Sequence, residues 1–207
     1  MTWYDAAKWC NARSEKEGRV PAYYTNTAQT TVYRSGEAIL DNSWVKWNAG
    51  YRLPTEAEWE KAARGGASGH RYTWSDTDTI THSRANYQSY DFYAYDVSPT
   101  RGYHPTFNDG VSPYTSPVGY FAANGYGLYD MTGNVNQWCW DWYGAGTYSS
   151  GSQTDPRGPT SVTKRINRGG RWVDGPAGSR TSFRGFSSPT SKYHDLGFRS
   201  VLPLGQP

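Results

Sequence analysis

The side chains best suited to chemistry are oxygen donors in a loop-rich stretch, residues 68–117. They stand at Asn86, Asp91, Asp96, Asn108 and Asp109. Hard oxygen donors are the ligands that calcium prefers, and a tight turn at 108–110 could present a carboxylate beside backbone carbonyls. The same residue types also form Asx turns that need no metal. The residues alone therefore leave two alternatives open, a calcium site and a set of ordinary turns.

Nitrogen and sulfur donors show no comparable clustering. The four histidines are His70, His82, His104 and His194. None has HxxxH or HxH spacing, so exposed loop histidines are expected rather than metal ligands. The two cysteines, Cys10 and Cys139, cannot supply a disulfide framework or a thiolate zinc site. One bridge between them stays open, although two buried free thiols are the expected state.

Two helices are predicted to position these loops. Apolar spacing indicates the first over residues 5–17, before Gly18. The second begins at a capping box formed by Thr55 and Glu58, and the glycine pair at 65–66 ends it. Its predicted buried face consists of Ala57, Trp59, Ala62 and Ala63. Short runs at 126–129 and 135–142 are the clearest remaining segments, and Gly, Pro, Asn and Ser punctuate the rest.

Composition predicts a folded core built from rings. The chain of 207 residues has only 25 Leu, Ile, Val and Phe residues but 10 Trp, 18 Tyr and 6 Phe. Each buried ring removes roughly 150–250 Å² from water, so a few large side chains can replace many aliphatic ones. A net charge of +3 with scattered Lys and Arg argues against nucleic acid as a partner.

The sequence also lacks membrane and export signals. No stretch approaches the ~18–20 apolar residues of a membrane span. The first residues show no charged start followed by an apolar run, so no signal peptide is expected. The compartment stays open, since a signal in a longer precursor would place the protein at the cell surface or outside the cell.

Five blocks in order resemble the formylglycine-generating enzyme, or sulfatase-modifying-factor, superfamily. They are residues 3–10 (WYDAAKWC), 51–60 (YRLPTEAEWE), 124–135 (NGYGLYDMTGNV), 167–170 (NRGG) and 196–199 (LGFR). The resemblance implies an α+β, C-type-lectin-like fold with two helices, short antiparallel strands and much irregular chain. It also implies one domain over 1–207 that lacks the family's opening strands. Five tryptophans in or beside the blocks are expected in the core: Trp9, Trp59, Trp138, Trp142 and Trp172.

The oxidase members of this superfamily bind copper through two cysteines after the Gly-Gly-x-Trp block. Here the matching segment, 172–184, contains no cysteine. A soft thiolate pair selects cuprous ion, and carboxylates or hydroxyls do not reproduce it. No copper is therefore expected, and the chain departs from the oxidase pattern.

Calcium ligands carry over from the family more completely. The resemblance assigns one site to Asn86, Tyr87, Asp109 and Val111, through two side chains and two carbonyls. It assigns a second site to Thr132, Gly133, Val135 and Gln137. Gln137 stands where the family has Glu, so this second site should be weaker or empty. A turn held by hydrogen bonds of Asn134 and Gln137 is the alternative.

The segment 171–195 is expected to form the ligand-binding face in this fold. Its candidate contacts are Arg171, Val173, Asp174, Ser179, Phe183, Phe186, Ser188, Thr190, Tyr193 and His194. Rings supply contact area at low entropy cost, and small polar residues supply adaptable hydrogen bonds. An ordinary solvated loop surface is the alternative. The layout also resembles variable proteins of diversity-generating retroelements, whose restricted alphabet of diversified residues fits these loop positions.

The leading hypothesis is a non-catalytic protein that presents residues 171–195 to a protein or glycan ligand, with structural calcium. The alternative is a divergent metal-dependent oxidase of the formylglycine-generating type.

Overall fold

The computed structural model describes residues 1–146, 152–160 and 163–204. Helix α1 spans Trp3–Lys16 and helix α2 spans Glu56–Arg64, with a 3-10 turn at Asn42–Trp44 between them. Four strands follow: β1 (Asn136–Trp142), β2 (Arg165–Arg168), β3 (Gly185–Ser187) and β4 (Leu196–Phe198). This arrangement confirms the α+β class. Neither α1 nor α2 is long and apolar enough to cross a membrane.

The four strands form one mixed sheet in the order β3-β2-β1-β4. The pairs β1/β2 and β2/β3 are antiparallel, but β4 runs parallel to β1, with Gln137 opposite Gly197. The prediction of antiparallel strands alone is therefore corrected for β4. Because β3 and β4 run in the same direction on opposite edges, residues 188–195 must pass from one edge of the sheet to the other. The carbonyl of Pro189 in this connection accepts a hydrogen bond from the Trp3 amide at 3.0 Å.

Both helices begin at capping boxes. The Thr55 hydroxyl accepts from the Glu58 amide and the Glu58 carboxylate accepts from the Thr55 amide, which confirms the predicted start of α2. Helix α1 begins two residues earlier than predicted, because Thr2 and Asp5 form the same reciprocal pair.

Aromatic side chains dominate the larger hydrophobic cluster. Trp140, only 1% exposed, stacks on Tyr23 with ring centroids 5.3 Å apart. The rings of Trp3 and Trp47 each lie 5.4 Å from it. The indole nitrogens of Trp140 and Trp3 donate to Asn42 Oδ1 at 2.7 Å and to the Cys139 carbonyl at 2.8 Å. Large rings, with the indole nitrogens of Trp3 and Trp140 hydrogen-bonded, thus fill the core as Leu and Ile do in most proteins.

Four of the five tryptophans expected in the core are buried. They are Trp59, Trp138, Trp142 and Trp172. The prediction for Trp9 is wrong, since its side chain is 41% exposed. The α1 face that packs inward carries Trp3, Ala6, Ala7 and Cys10, which leaves Trp9 on the flank against Phe198 and Arg13.

Two arginines are fully buried on β2. The guanidinium carbon of Arg165 lies 3.8 Å from the Trp3 ring centroid and 3.5 Å from that of Trp142. Burial in this aromatic cage lowers the pKa of Arg165 to about 9. Arg168 instead lies between α2 and the segment before β3, where it meets the carboxylates of Glu56 and Glu60.

The prediction of exposed histidines is wrong for His82 and His104. They are 4% and 5% exposed, with ring centroids 5.0 Å apart. His82 Nε2 lies 3.1 Å from the Tyr87 carbonyl, and His104 Nε2 lies 2.7 Å from the His82 carbonyl. Partners of this kind satisfy a buried imidazole without a metal. His194 is exposed as expected, and His70 is partly exposed.

Acid should destabilise the protein through His104. Burial lowers its pKa below the ordinary 6.5, so the unfolded chain takes up the proton more readily. The contribution of neutral His104 to stability is fully present above pH 6.5 and is lost as the pH falls through the folded-state pKa. We expect the fall in thermal midpoint between pH 7 and pH 5 to be smaller in His104→Gln than in wild type. His194→Gln, at an exposed site, is the control, and an equal reduction in both variants would contradict this origin.

Candidate ligand-binding surface

A glycine pair positions the start of the segment 171–195. Gly169 and Gly170, directly after β2, have φ of +103° and +78°, which side chains rarely adopt. A Cβ at Gly170 would lie 2.8 Å from the Ser179 Cα, so only glycine lets the two backbones meet. Ser179 is 1% exposed as a result. Its predicted place on the ligand-binding face is therefore corrected: the residue packs inward against the turn.

Rings from three parts of the chain gather around Trp172. The centroids of Tyr103, Tyr114 and His194 lie 5.4, 4.9 and 5.7 Å from the Trp172 ring. Trp172 is 4% exposed, whereas His194 is exposed. Sequence reasoning missed Tyr103 and Tyr114, because nothing in their spacing links them to residues about 60 or more positions away.

An ion cluster lies beside this ring group. Arg171 contacts Asp174 at 2.7 Å and Asp195 at 3.0 Å. The hydrogen bonds that Arg171 donates to the Asp174 carboxylate raise the pKa of Arg171. Two of the predicted contacts, Arg171 and Asp174, are thus engaged with each other and half-buried. Val173, between them, is also half-buried.

The exposed rings of the segment lie farther along. Phe183, Phe186 and Tyr193 are 37%, 41% and 53% exposed. Phe186, on the edge strand β3, packs on Tyr143 with centroids 4.2 Å apart, and the Lys164 ammonium lies 4.6 Å from its ring. Tyr143 and Lys164 therefore pack against the Phe186 ring, and part of the ring stays in solvent.

Buried ion pairs anchor residues 181–184 to α2. Glu56, 2% exposed, accepts two hydrogen bonds from Arg184 at 2.7 and 2.8 Å. Arg168 lies 3.6 Å from Glu56 and 2.5 Å from Glu60, and it donates to the carbonyls of residues 181 and 183. Phe183 therefore projects from a backbone held on a rigid helix.

The remaining candidates lie between β3 and β4. Ser188 and Thr190 bond each other through their hydroxyls at 2.9 Å, in a turn before Tyr193. The described contacts thus divide the exposed and half-buried candidates into a group around Trp172 and a group that runs from Phe183 through β3 to the connection before β4. Their role in binding a ligand stays a prediction.

At the first calcium site, one of the four expected ligand positions has an oxygen that suits a cation. Asn86 Oδ1 is buried and has no hydrogen-bond partner, while Nδ2 donates to the Tyr114 carbonyl at 2.8 Å. Asp109 is exposed, and its Oδ1 accepts from the Val111 amide at 2.9 Å. The Tyr87 carbonyl already lies beside His82. An unpaired buried amide oxygen is the one feature here that calls for a ligand.

The second site does not fit calcium. Gln137 Oε1 accepts from Trp59 Nε1 at 2.8 Å and from Arg199 Nε at 2.5 Å, and Nε2 donates to the Asp130 carbonyl. Thr132 bonds Thr73 through its hydroxyl. A cationic guanidinium already lies against the only side-chain oxygen of the set that was expected to bind the metal. The alternative, a hydrogen-bonded turn, describes these contacts better.

The two cysteines lie apart in the core. Cys10 belongs to the cluster around α1, and Cys139 belongs to the cluster around Trp59. Both are free thiols with no exposed surface. Burial raises the pKa of Cys10 to about 12 and raises that of Cys139 as well, so neither is a thiolate at neutral pH.

Comparison with known protein families gives one match over almost the whole chain. Residues 1–204 match the sulfatase-modifying factor enzyme 1-like domain. Among curated proteins, the chaperone protein LppX of Paenibacillus barcinonensis is 35% identical over 215 residues, covering 97% of this chain and 68% of that protein. A formylglycine-generating enzyme of Thermomonospora curvata is 39% identical over 170 residues, covering 75% and 53%.

A solved structure shares the fold. Variable protein 1 of Treponema denticola superposes with a TM-score of 0.71 at 30% identity, covering 97% of this chain and 68% of that one. The chain thus spans between about half and two thirds of the length of these relatives.

Proposed function

The chain belongs to the sulfatase-modifying factor enzyme 1-like family, and from that premise we propose that it is a non-catalytic binding protein. In this proposal residues of 171–195, apart from the buried Ser179, contact a protein or glycan ligand. Family members include oxidases and proteins whose names describe no catalysis. Membership of the family alone therefore does not decide between an enzyme and a non-catalytic binding protein.

The placement of the cysteines carries the proposal. Copper chemistry of the oxidase type needs two thiolates at one place, in the segment after Trp172. That segment has no cysteine, and the two thiols of the chain lie in separate hydrophobic clusters. In the described part of the chain no group of three His, Cys, Asp or Glu side chains is arranged to hold another metal.

Exposed rings on an anchored backbone support the binding role. Phe183, Phe186 and Tyr193 offer aromatic area, and the Glu56 and Arg168 ion pairs fix the backbone beneath Phe183. A preorganised surface loses little entropy on binding.

The alternative, a divergent metal-dependent oxidase, draws on the 39% identity to a formylglycine-generating enzyme. Elemental analysis together with an oxygen electrode separates the two. We expect no stoichiometric copper or iron in the purified protein and no oxygen uptake with cysteine-containing peptides. Bound copper or iron together with turnover would exclude the non-catalytic reading.

We also propose structural calcium at the first site, with Asn86 and Asp109 as side-chain ligands and the carbonyls of Tyr87 and Val111 beside them. Calcium would fix the loop 108–114 against Asn86, whose Oδ1 lacks another partner. Binding to the folded state stabilises it by about 2.7 kcal/mol when free calcium is a hundredfold above its Kd.

The expected result is a rise in thermal midpoint when calcium is added to chelator-treated protein. Asp109→Asn should lose most of that rise, because the ligand loses its charge. Asp91→Asn, at an exposed carboxylate in the same stretch, is the control and should respond like wild type. No response in wild type would remove calcium from the proposal.

The similarity to a variable protein extends the proposal to diversification of residues in 171–195. A reverse transcriptase gene and a near-repeat of the coding segment beside this gene are expected. Their absence from the native locus would leave a binding protein with a fixed surface.

A further inference from the structure

An open cleft of about 490 Å³ lies beside the proposed binding segment. Its lining residues come from the end of α2, from the loop after it and from the segment that carries Phe183. Three of the eight lining residues are arginines, Arg64, Arg71 and Arg180, and one, Asp78, carries a carboxylate.

Two of these arginines have guanidinium groups that other groups hold in place. The Asp78 carboxylate lies close enough to Arg71 to interact with it electrostatically, and its Oδ1 accepts from the Arg71 amide at 2.9 Å. Arg71 stacks on Tyr95, with its guanidinium carbon 4.2 Å from the ring centroid, and its Nη1 donates to the Asp78 carbonyl at 3.0 Å. Arg180 donates from Nε to the Ala177 carbonyl at 2.9 Å. In the part of the chain that the structure describes, neither makes an ion pair with a carboxylate. Arg64 differs, since Glu60 accepts two of its hydrogen bonds.

Backbone contacts fix the two arginines next to each other and to the exposed ring. The Thr181 amide donates to the Arg71 carbonyl at 2.9 Å, which joins the loop to the binding segment. The Phe183 amide donates to the Arg180 carbonyl at 2.9 Å. Two hydrogen-bonded segments thus hold the cationic side chains of Arg71 and Arg180 near the aromatic ring of Phe183.

We propose that this cleft binds carboxylate side chains of an acidic polypeptide segment. Planar guanidinium groups match carboxylates in a two-pronged geometry, and fixed ones lose little entropy on pairing. The volume is in the range of sites that take a small ligand or a few side chains.

A polypeptide fits this place better than an anionic glycan. Arginine and aromatic residues are the types enriched in protein interfaces and among their strongest contacts. A relative of this chain is named as a chaperone protein, a class that acts on proteins. The inference rests on the proposed function, because it supplies the ligand class for the same segment.

Fluorescence anisotropy with labelled hexaglutamate tests the cleft directly, at about 20 mM salt where screening is weak. Wild type should bind hexaglutamate and not hexaglutamine. The double variant Arg71→Gln/Arg180→Gln should weaken binding by at least about tenfold, because the peptide carboxylates lose both fixed guanidinium partners. Its thermal midpoint reports whether the fold is kept.

The double variant Arg13→Gln/Arg34→Gln is the charge-matched control, because both arginines are exposed, pair with Glu17 and Glu15, and lie outside the cleft. Equal losses in this control and in the cleft variant would overturn the proposal, as would absence of hexaglutamate binding. A heparin hexasaccharide that binds more tightly than the peptide, with the same dependence on Arg71 and Arg180, would overturn the choice of polypeptide.

Failure here is distinguishable from failure of the proposed function. A ligand that needs Phe183, Phe186 and Tyr193 but is indifferent to Arg71 and Arg180 would leave the binding surface in place and remove the cleft. A ligand that needs only the arginines would support the cleft and remove the exposed rings from the binding surface.

Discussion

Replacing Glu56 with alanine is expected to lower the free energy of unfolding by about 3–5 kcal/mol, because Arg184 loses this carboxylate and the fully buried Arg168 is left with Glu60. Glu56 is 2% exposed and faces Arg184 at 2.7 Å and the fully buried Arg168 at 3.6 Å. Both arginines hold the backbone or side chains of residues 181–184. The loss should appear as a lower midpoint in urea denaturation.

Glu15→Ala is the matched control for this change. The Glu15 pair with Arg34 is exposed on both sides, so its removal should change stability by at most about 1 kcal/mol. Equal effects of the two substitutions would show that the ion pairs beneath Phe183 contribute no more than a surface pair.

Replacing Trp140 with alanine is expected to cost about 3–5 kcal/mol, the usual range for large buried aromatics. The ring packs against Tyr23, Trp3 and Trp47, and its indole nitrogen holds Asn42. Few aliphatic side chains can refill the space, because the chain has only six Leu and three Ile residues.

Trp9→Ala provides the comparison of residue type. Trp9 is 41% exposed and contacts only the edge of the core, so a cost of about 1 kcal/mol is expected. Urea denaturation of both variants measures the difference. Similar costs at the two positions would contradict the view that buried rings form this core.

Local signals in the sequence predict the helices well. Thr55 and Glu58 mark the start of α2 because a capping box is encoded within four residues. Helix α1 begins two residues before its predicted start, because its capping box has Asp5 where the usual box has Glu or Gln. The parallel pairing of β4 depends on a crossing of the sheet by residues 188–195, which no local pattern encodes.

Burial of polar side chains was harder to predict. His82 and His104 are satisfied by backbone carbonyls and a hydroxyl up to 22 positions away, so their sequence neighbours give no sign of burial. The cleft joins Arg64 and Arg71 to Arg180, more than one hundred positions later. Phe183, Phe186 and Tyr193, by contrast, are exposed, as expected of rings on a ligand-binding face, and their role in binding stays a prediction.

The proposed function requires that this chain bind a ligand through the exposed rings of residues 171–195. The measurement that tests it most directly is the Kd of a ligand found by screening protein and glycan arrays, for wild type and for Phe183→Ala/Phe186→Ala/Tyr193→Ala. We expect the triple variant to keep its fold and to bind at least about a hundredfold more weakly, since strong interface contacts cost 2 kcal/mol or more when truncated. An unchanged Kd in the folded triple variant would contradict the claim.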